Sequence, residues 1–358
     1  MAAGSRGPLD GTTLAESRSM SDPDPAPPRG AACSCRILAL SLAVVTTSSC
    51  SGPQSTLDPA GRDAESIAML FWVMTVGAAV IWLGVMASAL YAVLHGDRAH
   101  SERRASLFIV YGGVVIPAVT LTVLVGYGLS LLPKLLDLGP HPDPRIVVSA
   151  EQWWWRVTYR LEDGRQFDVA NEVRLPVGSR TAIAIRSPDV VHSFWVPALA
   201  GKVDAIPGHE TYLAFEPTRE GVFRGVCAEY CGTGHAKMLF DAVVMSAEDY
   251  ENWLEHQAQT AMEPSSARAR RGALVFEERG CGACHTIRGT SADGMVGPDL
   301  THVASRRLVA GVVAGDVAGF RQWLAGPDAF KPGVHMPAFS SVSDEDLSTL
   351  ATYLNGLR

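Results

Sequence analysis

The chain has 358 residues, a hydrophobic fraction of 47% and a formal net charge of −7. This length allows two or three domains. The acidic balance excludes nucleic acid as a default partner, because nucleic-acid binding relies on clustered Lys and Arg.

The first 50 residues read as a disordered leader followed by a signal peptide. Residues 1–30 are rich in Gly, Pro, Ser and Asp and have no periodicity. Arg36 then precedes ILALSLAVV, a short apolar segment ending in the small residues TTSSCSG, which is typical of a secretory signal. Cys50 is a candidate lipoprotein N-terminus, and plain cleavage is the alternative.

Two apolar segments lie within residues 60–135. Residues 67–94 and 107–132 contain no charged residue over 28 and 26 positions. A helix needs about 20 apolar residues to cross a bilayer core, so the pattern predicts a two-helix transmembrane hairpin. A buried helix pair in a soluble core is the alternative. The exported leader and the arginines of the turn at 95–105 predict that the rest of the chain is extracytoplasmic.

Between about 141 and 257 the hydrophobic pattern changes to period two. Segments such as RIVVSAEQWWWRVTYRL, FDVANEVRLPV and TAIAIRS are short, rich in β-branched and aromatic residues, and separated by Gly, Pro and Asp. This spacing predicts an all-β sandwich. SAEDYENWLEHQA then predicts a closing helix with Ser246 as its N-cap.

Soft metal-ligand side chains cluster in the loop CAEYCGTGHAKM, which contains Cys227, Cys231, His235 and Met238. His192 of DVVHSFWVP lies 35 residues upstream of the first cysteine. Thiolate, imidazole and thioether ligands together favour copper. Two thiolates in one loop favour a binuclear centre that both of them bridge. A disulfide, a Cys2His2 zinc site and a copper-chaperone redox pair are the alternatives.

A second ligand pattern occurs near the C-terminus. Cys281-x2-Cys284-His285 is the attachment signature of c-type haem, although a redox or zinc CxxC pair is possible for the motif alone. Met336 in KPGVHMPAF is available as the sixth iron ligand, with His335 beside it as a rival. Methionine–histidine ligation raises the reduction potential relative to two histidines.

Two further features accompany the haem motif. GPDL at 297–300 resembles the loop whose proline carbonyl, here on Pro298, holds the proximal histidine of class I cytochromes c. SDEDLSTLATYLNGL predicts a C-terminal amphipathic helix capped by Ser343.

Together these motifs resemble a known family. Residues 60–257 resemble subunit II of haem-copper cytochrome c oxidases, with its hairpin and its cupredoxin domain carrying the dinuclear copper centre CuA. The matching stretches are QWWWRVTY, DVVHSFWVP, GKVDAIPG and CAEYCGTGHAKM. After a polar linker at 258–267, residues 268–358 resemble a complete all-α cytochrome c domain, as in caa3-type oxidases.

The resemblance implies a role for each matching residue. The implied CuA ligands are the bridging thiolates of Cys227 and Cys231, the imidazoles of His192 and His235, and, as weak axial ligands, Met238 and the backbone carbonyl of Glu229. The Glu229 side chain would also help to bind magnesium at the interface with subunit I. Trp153 corresponds to the aromatic residue at which electrons enter. The implied haem c residues are Cys281, Cys284, His285 and Met336.

The function implied is that of the electron-input subunit of a terminal oxidase in a bacterial inner membrane, with both exported domains on the periplasmic side. Electrons would pass from cytochrome c or an upstream complex to haem c, CuA, and then haem a and the oxygen-reducing centre of subunit I, with subunit III as a further partner. None of the ten histidines lies inside the apolar segments, so the chain cannot hold that centre itself. The alternatives are a CuA-containing nitric oxide reductase subunit, a quinol oxidase subunit, or a membrane-anchored copper and haem assembly factor.

Overall fold

A computed structural model describes residues 51–96, 101–139 and 145–358. The predicted leader with Cys50, Arg98 of the predicted turn, and the segment at 141–144 lie outside the described residues.

Two long apolar helices come first. They comprise α1 (Arg62–Leu94), and α2 (Glu102–Val110), which continues through a π-helical turn (Tyr111–Val115) into α3 (Ile116–Leu135). The π turn contains Gly112 and Gly113 and precedes Pro117, which has no N–H for the helical ladder. Both helices are long and apolar enough to cross a membrane. Their large side chains are exposed, as at Trp82 (61%), so the described residues do not bury them in a soluble core.

The β-sandwich predicted from the period-two pattern is confirmed. Its strands are β1 (Ile146–Glu151), β2 (Trp154–Arg160), β3 (Gln166–Ala170), β4 (Glu172–Pro176), β5 (Thr181–Arg186), β6 (His192–Trp195), β7 (Val203–Ala205), β8 (Thr211–Phe215), β9 (Gly221–Cys227) and β10 (Leu239–Met245). They form two five-stranded sheets of order β3-β2-β1-β5-β8 and β4-β10-β9-β6-β7. The pairs β1–β5 and β4–β10 are parallel, and the other pairs are antiparallel.

One sequence segment divides between the two sheets. FDVANEVRLPV supplies β3 to one sheet and β4 to the other, with Asn171 between them at a φ of 56°. The Asn171 side chain accepts a hydrogen bond from the backbone N–H of Trp155, which stabilises this left-handed position. Trp155, Phe194 and Phe240 are fully buried between the sheets and form edge and stacked ring contacts.

The remaining chain is mainly helical. Helix α4 (Ala247–Gln257) closes the sandwich, and α5 (Ala267–Glu278), α6 (Val317–Ala325), α7 (Pro327–Phe330) and α8 (Asp344–Gly356) form the cytochrome c-like part with the short pair β11 (Leu308–Val309) and β12 (Val313–Ala314). Gly272 of α5 lies directly against α8, because a Cβ there would be 2.2 Å from the carbonyl oxygen of Thr349. Ser343 caps α8 as the sequence predicts.

The segment between α4 and α5, predicted as a polar linker, is held against the cytochrome c-like part. Ala261 donates a backbone hydrogen bond to Arg288, and the Arg288 guanidinium donates to the carbonyl of Gln257. Helix α5 begins at Ala267, the last residue of the predicted linker.

Candidate metal and haem sites

Strand pairing brings the first two predicted copper ligands together. β6 and β9 are antiparallel neighbours with Phe194 opposite Cys227. His192 at the start of β6 therefore lies beside Cys227 at the end of β9, and its Nδ1 is 3.9 Å from the Cys227 Sγ. The loop that leaves β9 returns as β10, so the other candidates follow at the same sheet edge.

The loop CAEYCGTGHAKM folds its donor atoms around the two thiols. The Cys231 Sγ lies 3.7 Å from both His235 Nδ1 and Met238 Sδ. The carbonyl oxygen of Glu229 is 3.1 Å from the Cys227 Sγ. The other four predicted copper donors thus each lie within 4 Å of one of the two sulfur atoms.

The two sulfurs are 3.8 Å apart. A disulfide requires about 2.05 Å, so the pair is not oxidised here. Both thiols would therefore be available to hold metal ions. With two thiols, two imidazoles, a thioether and a carbonyl, the donor set fits soft copper ions rather than a four-ligand zinc site.

The pKa values of the two thiols are shifted in opposite directions. The hydrogen bond from Cys231 lowers the pKa of Cys227 to about 3, although burial opposes this, and His192 adds to the effect. The same contact, with burial, raises the pKa of Cys231. The metal-free pair therefore shares one proton at neutral pH, and metal binding must displace it.

Asp189 orients His192 and was not recognised from the sequence. Its carboxylate accepts a hydrogen bond from Nε2 of His192 at 2.8 Å, which leaves Nδ1 as the ligand nitrogen facing Cys227. Burial lowers the pKa of His192, but Cys227 and Asp189 outweigh it and the net shift is upward. A carboxylate three residues before a ligand histidine was the available signal in PDVVH.

The haem motif forms a second site. Cys281 and Cys284 frame a 3-10 turn, and Nδ1 of His285 lies 2.8 Å from the carbonyl oxygen of Pro298. This contact leaves Nε2 free for iron. Burial lowers the pKa of His285, so the ring is neutral at physiological pH, as a metal ligand must be.

Met336 and His335 point to different surroundings. Met336 packs against the hydrophobic core of the cytochrome c-like part, and its sulfur accepts a hydrogen bond from Nε1 of Trp323 at 3.2 Å. The His335 ring instead lies 5.9 Å from the ring of Trp153 in the sandwich. The geometry therefore favours Met336 as the iron ligand over its neighbour.

The surroundings also fit a haem group. Arg306 is half-buried: a terminal nitrogen of its guanidinium donates to the carbonyl of Asp299, while its buried Nε has no hydrogen-bond partner among the described residues. An unpaired buried guanidinium N–H calls for an anion such as a haem carboxylate. Gly297 allows the Pro298 loop to approach the histidine, since a Cβ there would lie 2.5 Å from the His285 ring. Sequence reasoning missed both Arg306 and Trp323.

Trp153 lies between the two sites. It is 7% exposed, and its indole Nε1 donates a 2.9 Å hydrogen bond to the carbonyl of Cys231. A Cβ on Gly234 of the copper loop would be 2.6 Å from its ring, and one on Gly333 of the Met336 loop would be 2.9 Å away. Loops of both sites are therefore in contact with one indole.

Fold and sites together define a cupredoxin-like β-sandwich with a candidate copper site, preceded by two apolar helices and followed by a cytochrome c-like domain. Comparison with known proteins agrees. The family model "Cytochrome C oxidase subunit II, periplasmic domain" matches residues 157–246, and the model "Cytochrome c" matches residues 269–358. These two domains imply the copper centre CuA and haem c.

Full-length relatives give the family. The chain is 31% identical to cytochrome c oxidase subunit 2 of Alkalihalophilus pseudofirmus over 334 residues, covering 90% of this chain and 96% of the relative. It is 28% identical to cytochrome c oxidase subunit 2 of Bacillus subtilis over 347 residues, covering 90% and 97%. The chain belongs to the cytochrome c oxidase subunit 2 family, and its enzyme class is cytochrome c oxidase.

A solved structure shows a partial likeness. The periplasmic domain of subunit II of cytochrome oxidase from Bradyrhizobium japonicum is 30% identical, covers 32% of this chain and 93% of its own, and has a TM-score of 0.30.

Proposed function

We propose that this chain is the electron-input subunit of a terminal respiratory oxidase. Copper at the Cys227 site and haem c at the Cys281 site would each carry one electron at a time, from a cytochrome c or upstream complex towards haem a and the oxygen-reducing centre of subunit I. The chain's own residues hold, orient and insulate these carriers.

The contact of Trp153 with both sites is the observation that carries this proposal. Its indole touches the copper loop through Gly234 and Cys231, and the Met336 loop through Gly333. This side chain is almost fully buried, so a partner that docks from solution would have little of it to contact. The attached cytochrome c domain is therefore the proposed donor to Trp153, and an external donor would deliver electrons to that domain.

The membrane arrangement is part of the same proposal. Helices α1 and α2–α3 would cross a bacterial inner membrane as a hairpin and pack against subunit I, with subunit III as a further neighbour. This arrangement covers their exposed apolar side chains and leaves the sandwich and the cytochrome c domain on the periplasmic side.

Glu229 links the copper loop to the proposed partner. Its side chain is exposed while its carbonyl faces Cys227. Magnesium needs about six oxygen ligands, so one carboxylate is insufficient for a site. We propose that subunit I supplies the others where it meets Glu229.

The order of carriers can be tested in the purified complex with Cys227→Ser and its reciprocal, Cys281→Ser. Cys227→Ser should abolish the mixed-valence dicopper EPR signal and leave the haem c spectrum intact. Reduced haem c should then stay reduced in oxygenated buffer. Cys281→Ser should perturb haem c and retain the dicopper signal. Oxidation of haem c at the wild-type rate in Cys227→Ser would contradict the proposed order.

A further inference from the structure

A buried lysine joins the two domains at Trp153. Lys331 follows α7 and is 2% exposed. Its Nζ donates one hydrogen bond to the carbonyl of Trp153 at 2.9 Å and another to the carbonyl of Ala310 at 2.8 Å. One acceptor belongs to the sandwich and the other to the cytochrome c domain.

The surroundings of this ammonium group are unusual. Within the described parts of the chain Lys331 forms no ion pair, and burial alone lowers its pKa to about 7. Burying an unpaired lysine is costly, since its charged form prefers water. The two carbonyl oxygens are the compensation that the structure offers, and the one on Trp153 is present only while the two domains are docked.

Lys331 also begins the loop that carries the predicted iron ligand. Two residues further on, Gly333 lies against the outer edge of the Trp153 ring at a φ of 79°. Three residues beyond that glycine comes Met336. Fixing Lys331 to the Trp153 backbone therefore fixes where this loop meets the indole.

The indole ring of Trp153 is anchored by the copper loop. The Cys231 carbonyl accepts from its indole nitrogen, and the Gln152 side chain donates to the same carbonyl at 2.7 Å. Trp153 is thus anchored at its ring by the copper loop and at its backbone by Lys331.

We propose that Lys331 is a positioning residue for electron transfer: it holds the Met336 loop on Trp153 and so sets the rate at which electrons pass from the haem c site to the copper site. The inference rests on the proposed function. Lys331 touches neither predicted metal centre, so its effect acts through Trp153.

The test uses the purified complete oxidase and a ruthenium photoreductant that injects one electron into haem c. Arrival at copper is followed by the copper near-infrared absorbance. Lys331→Met keeps an unbranched apolar side chain but loses the ammonium donors that hold the Met336 loop on Trp153, and we expect the transfer rate to fall severalfold. The haem c spectrum, the dicopper EPR signal and both reduction potentials should stay as in wild type. Arg321→Met removes one positive charge from an exposed site on the same domain and should leave the rate unchanged.

A wild-type rate in Lys331→Met would overturn the inference. It would leave the proposed function intact, provided that wild type itself transfers the electron. Absence of transfer in wild type would instead contradict the proposed function.

A labelling experiment tests the burial of Lys331 between the domains, and it does not require Lys331→Met to assemble. Acetic anhydride should modify Lys331 in the native complex at least about 100-fold more slowly than in the guanidinium-unfolded chain, since the amine is enclosed by two domains. Labelling of native Lys331 at the unfolded rate would overturn the inference. Gly333→Ala keeps Lys331 in the sequence, but its added methyl group would lie 2.9 Å from the Trp153 ring and push the loop away from the indole. The variant should therefore both slow the transfer and expose Lys331 to the reagent. A wild-type rate with Lys331 still protected would count against the proposed coupling.

Discussion

The carboxylate of Asp189 binds Nε2 of His192 at 2.8 Å, while Nδ1 of the same ring faces the Cys227 sulfur at 3.9 Å. A histidine that donates one nitrogen to a carboxylate presents the other to metal in a fixed direction. The ligand geometry at one end of the copper site therefore depends on a residue outside the predicted ligand set.

Asp189→Asn tests this orientation. An amide oxygen still accepts a hydrogen bond but carries no charge, so we expect copper affinity to fall about 10- to 100-fold. Affinity can be measured by competition with a chelator of known strength. Asp163→Asn, at a half-exposed carboxylate bound to Arg165, should have no effect. Equal affinity in the Asp189 variant and wild type would show that the His192 orientation is set elsewhere.

The shared proton of the copper thiols gives a pH prediction. Because the pKa of Cys227 is lowered to about 3, its thiolate should be present at neutral pH in the copper-free chain and be lost only as the pH falls through that value. The raised pKa of Cys231 keeps that thiol protonated. Copper displaces this proton, so affinity should rise about tenfold per pH unit above the range where His192 titrates.

The predicted Cys227 thiolate can be measured by the ultraviolet absorbance of the copper-free chain with haem attached. The difference spectrum against Cys227→Ser should show one thiolate from pH 7 down to about 4. Two groups titrating together near an ordinary thiol pKa of about 8.5 would contradict the asymmetry.

Trp323 should tune the haem c potential. Its N–H donates to the Met336 sulfur at 3.2 Å and withdraws electron density from it, which favours reduced iron. Trp323→Phe loses a hydrogen bond worth about 1 kcal/mol, so the potential should fall by at most roughly 40 mV, the value reached if the bond stabilised reduced iron alone. Redox titration of the haem c α-band measures the shift.

Trp253→Phe is the matched control. The Trp253 indole nitrogen is buried and forms no hydrogen bond with the described residues, and the ring packs on the sandwich domain. This variant should leave the haem c potential unchanged. A fall of the same size in both variants would indicate a general loss of packing instead of an effect on Met336.

The contact between α5 and α8 predicts a strict size limit at Gly272. A Cβ there would be 2.2 Å from the Thr349 carbonyl oxygen, so Gly272→Ala forces the helices apart. Overpacking typically costs about 1–3 kcal/mol, which in a domain of this size lowers Tm by roughly 4–8 °C per kcal/mol. Thermal loss of the haem c absorbance measures the change. Gly356→Ala at the exposed end of α8 meets no atom within 4 Å and should leave Tm within about 2 °C of wild type.

Local signals in the sequence predicted much of the fold. The charge-free segments predicted the apolar helices, because about 20 residues must satisfy their backbone internally to cross a bilayer. Period-two alternation predicted the sandwich, and Ser246 and Ser343 predicted helix starts that the structure confirms. Each of these signals involves residues that are close in the sequence, so it can be recognised before the tertiary structure is known.

Other features required the assembled chain. The division of FDVANEVRLPV between two sheets at Asn171 follows from pairing with distant strands, which alternation cannot reveal. The donor spacings around Cys227 and Cys231 depend on β6 lying beside β9. That pairing remains unknown until the sheets form.

By itself the sequence indicated which chemistry the chain favours, because soft ligands at short spacing favour copper and the Cys281-x2-Cys284-His285 motif is typical of c-type haem. Only the tertiary structure decided how the two sites meet. Lys331 and Trp153 are 178 residues apart, and a lysine among Phe, Pro and Gly carries no local sign that it will be buried. Its hydrogen bond to the Trp153 carbonyl arises from the docking of whole domains, where long-range packing outweighs the preference of a charged side chain for water.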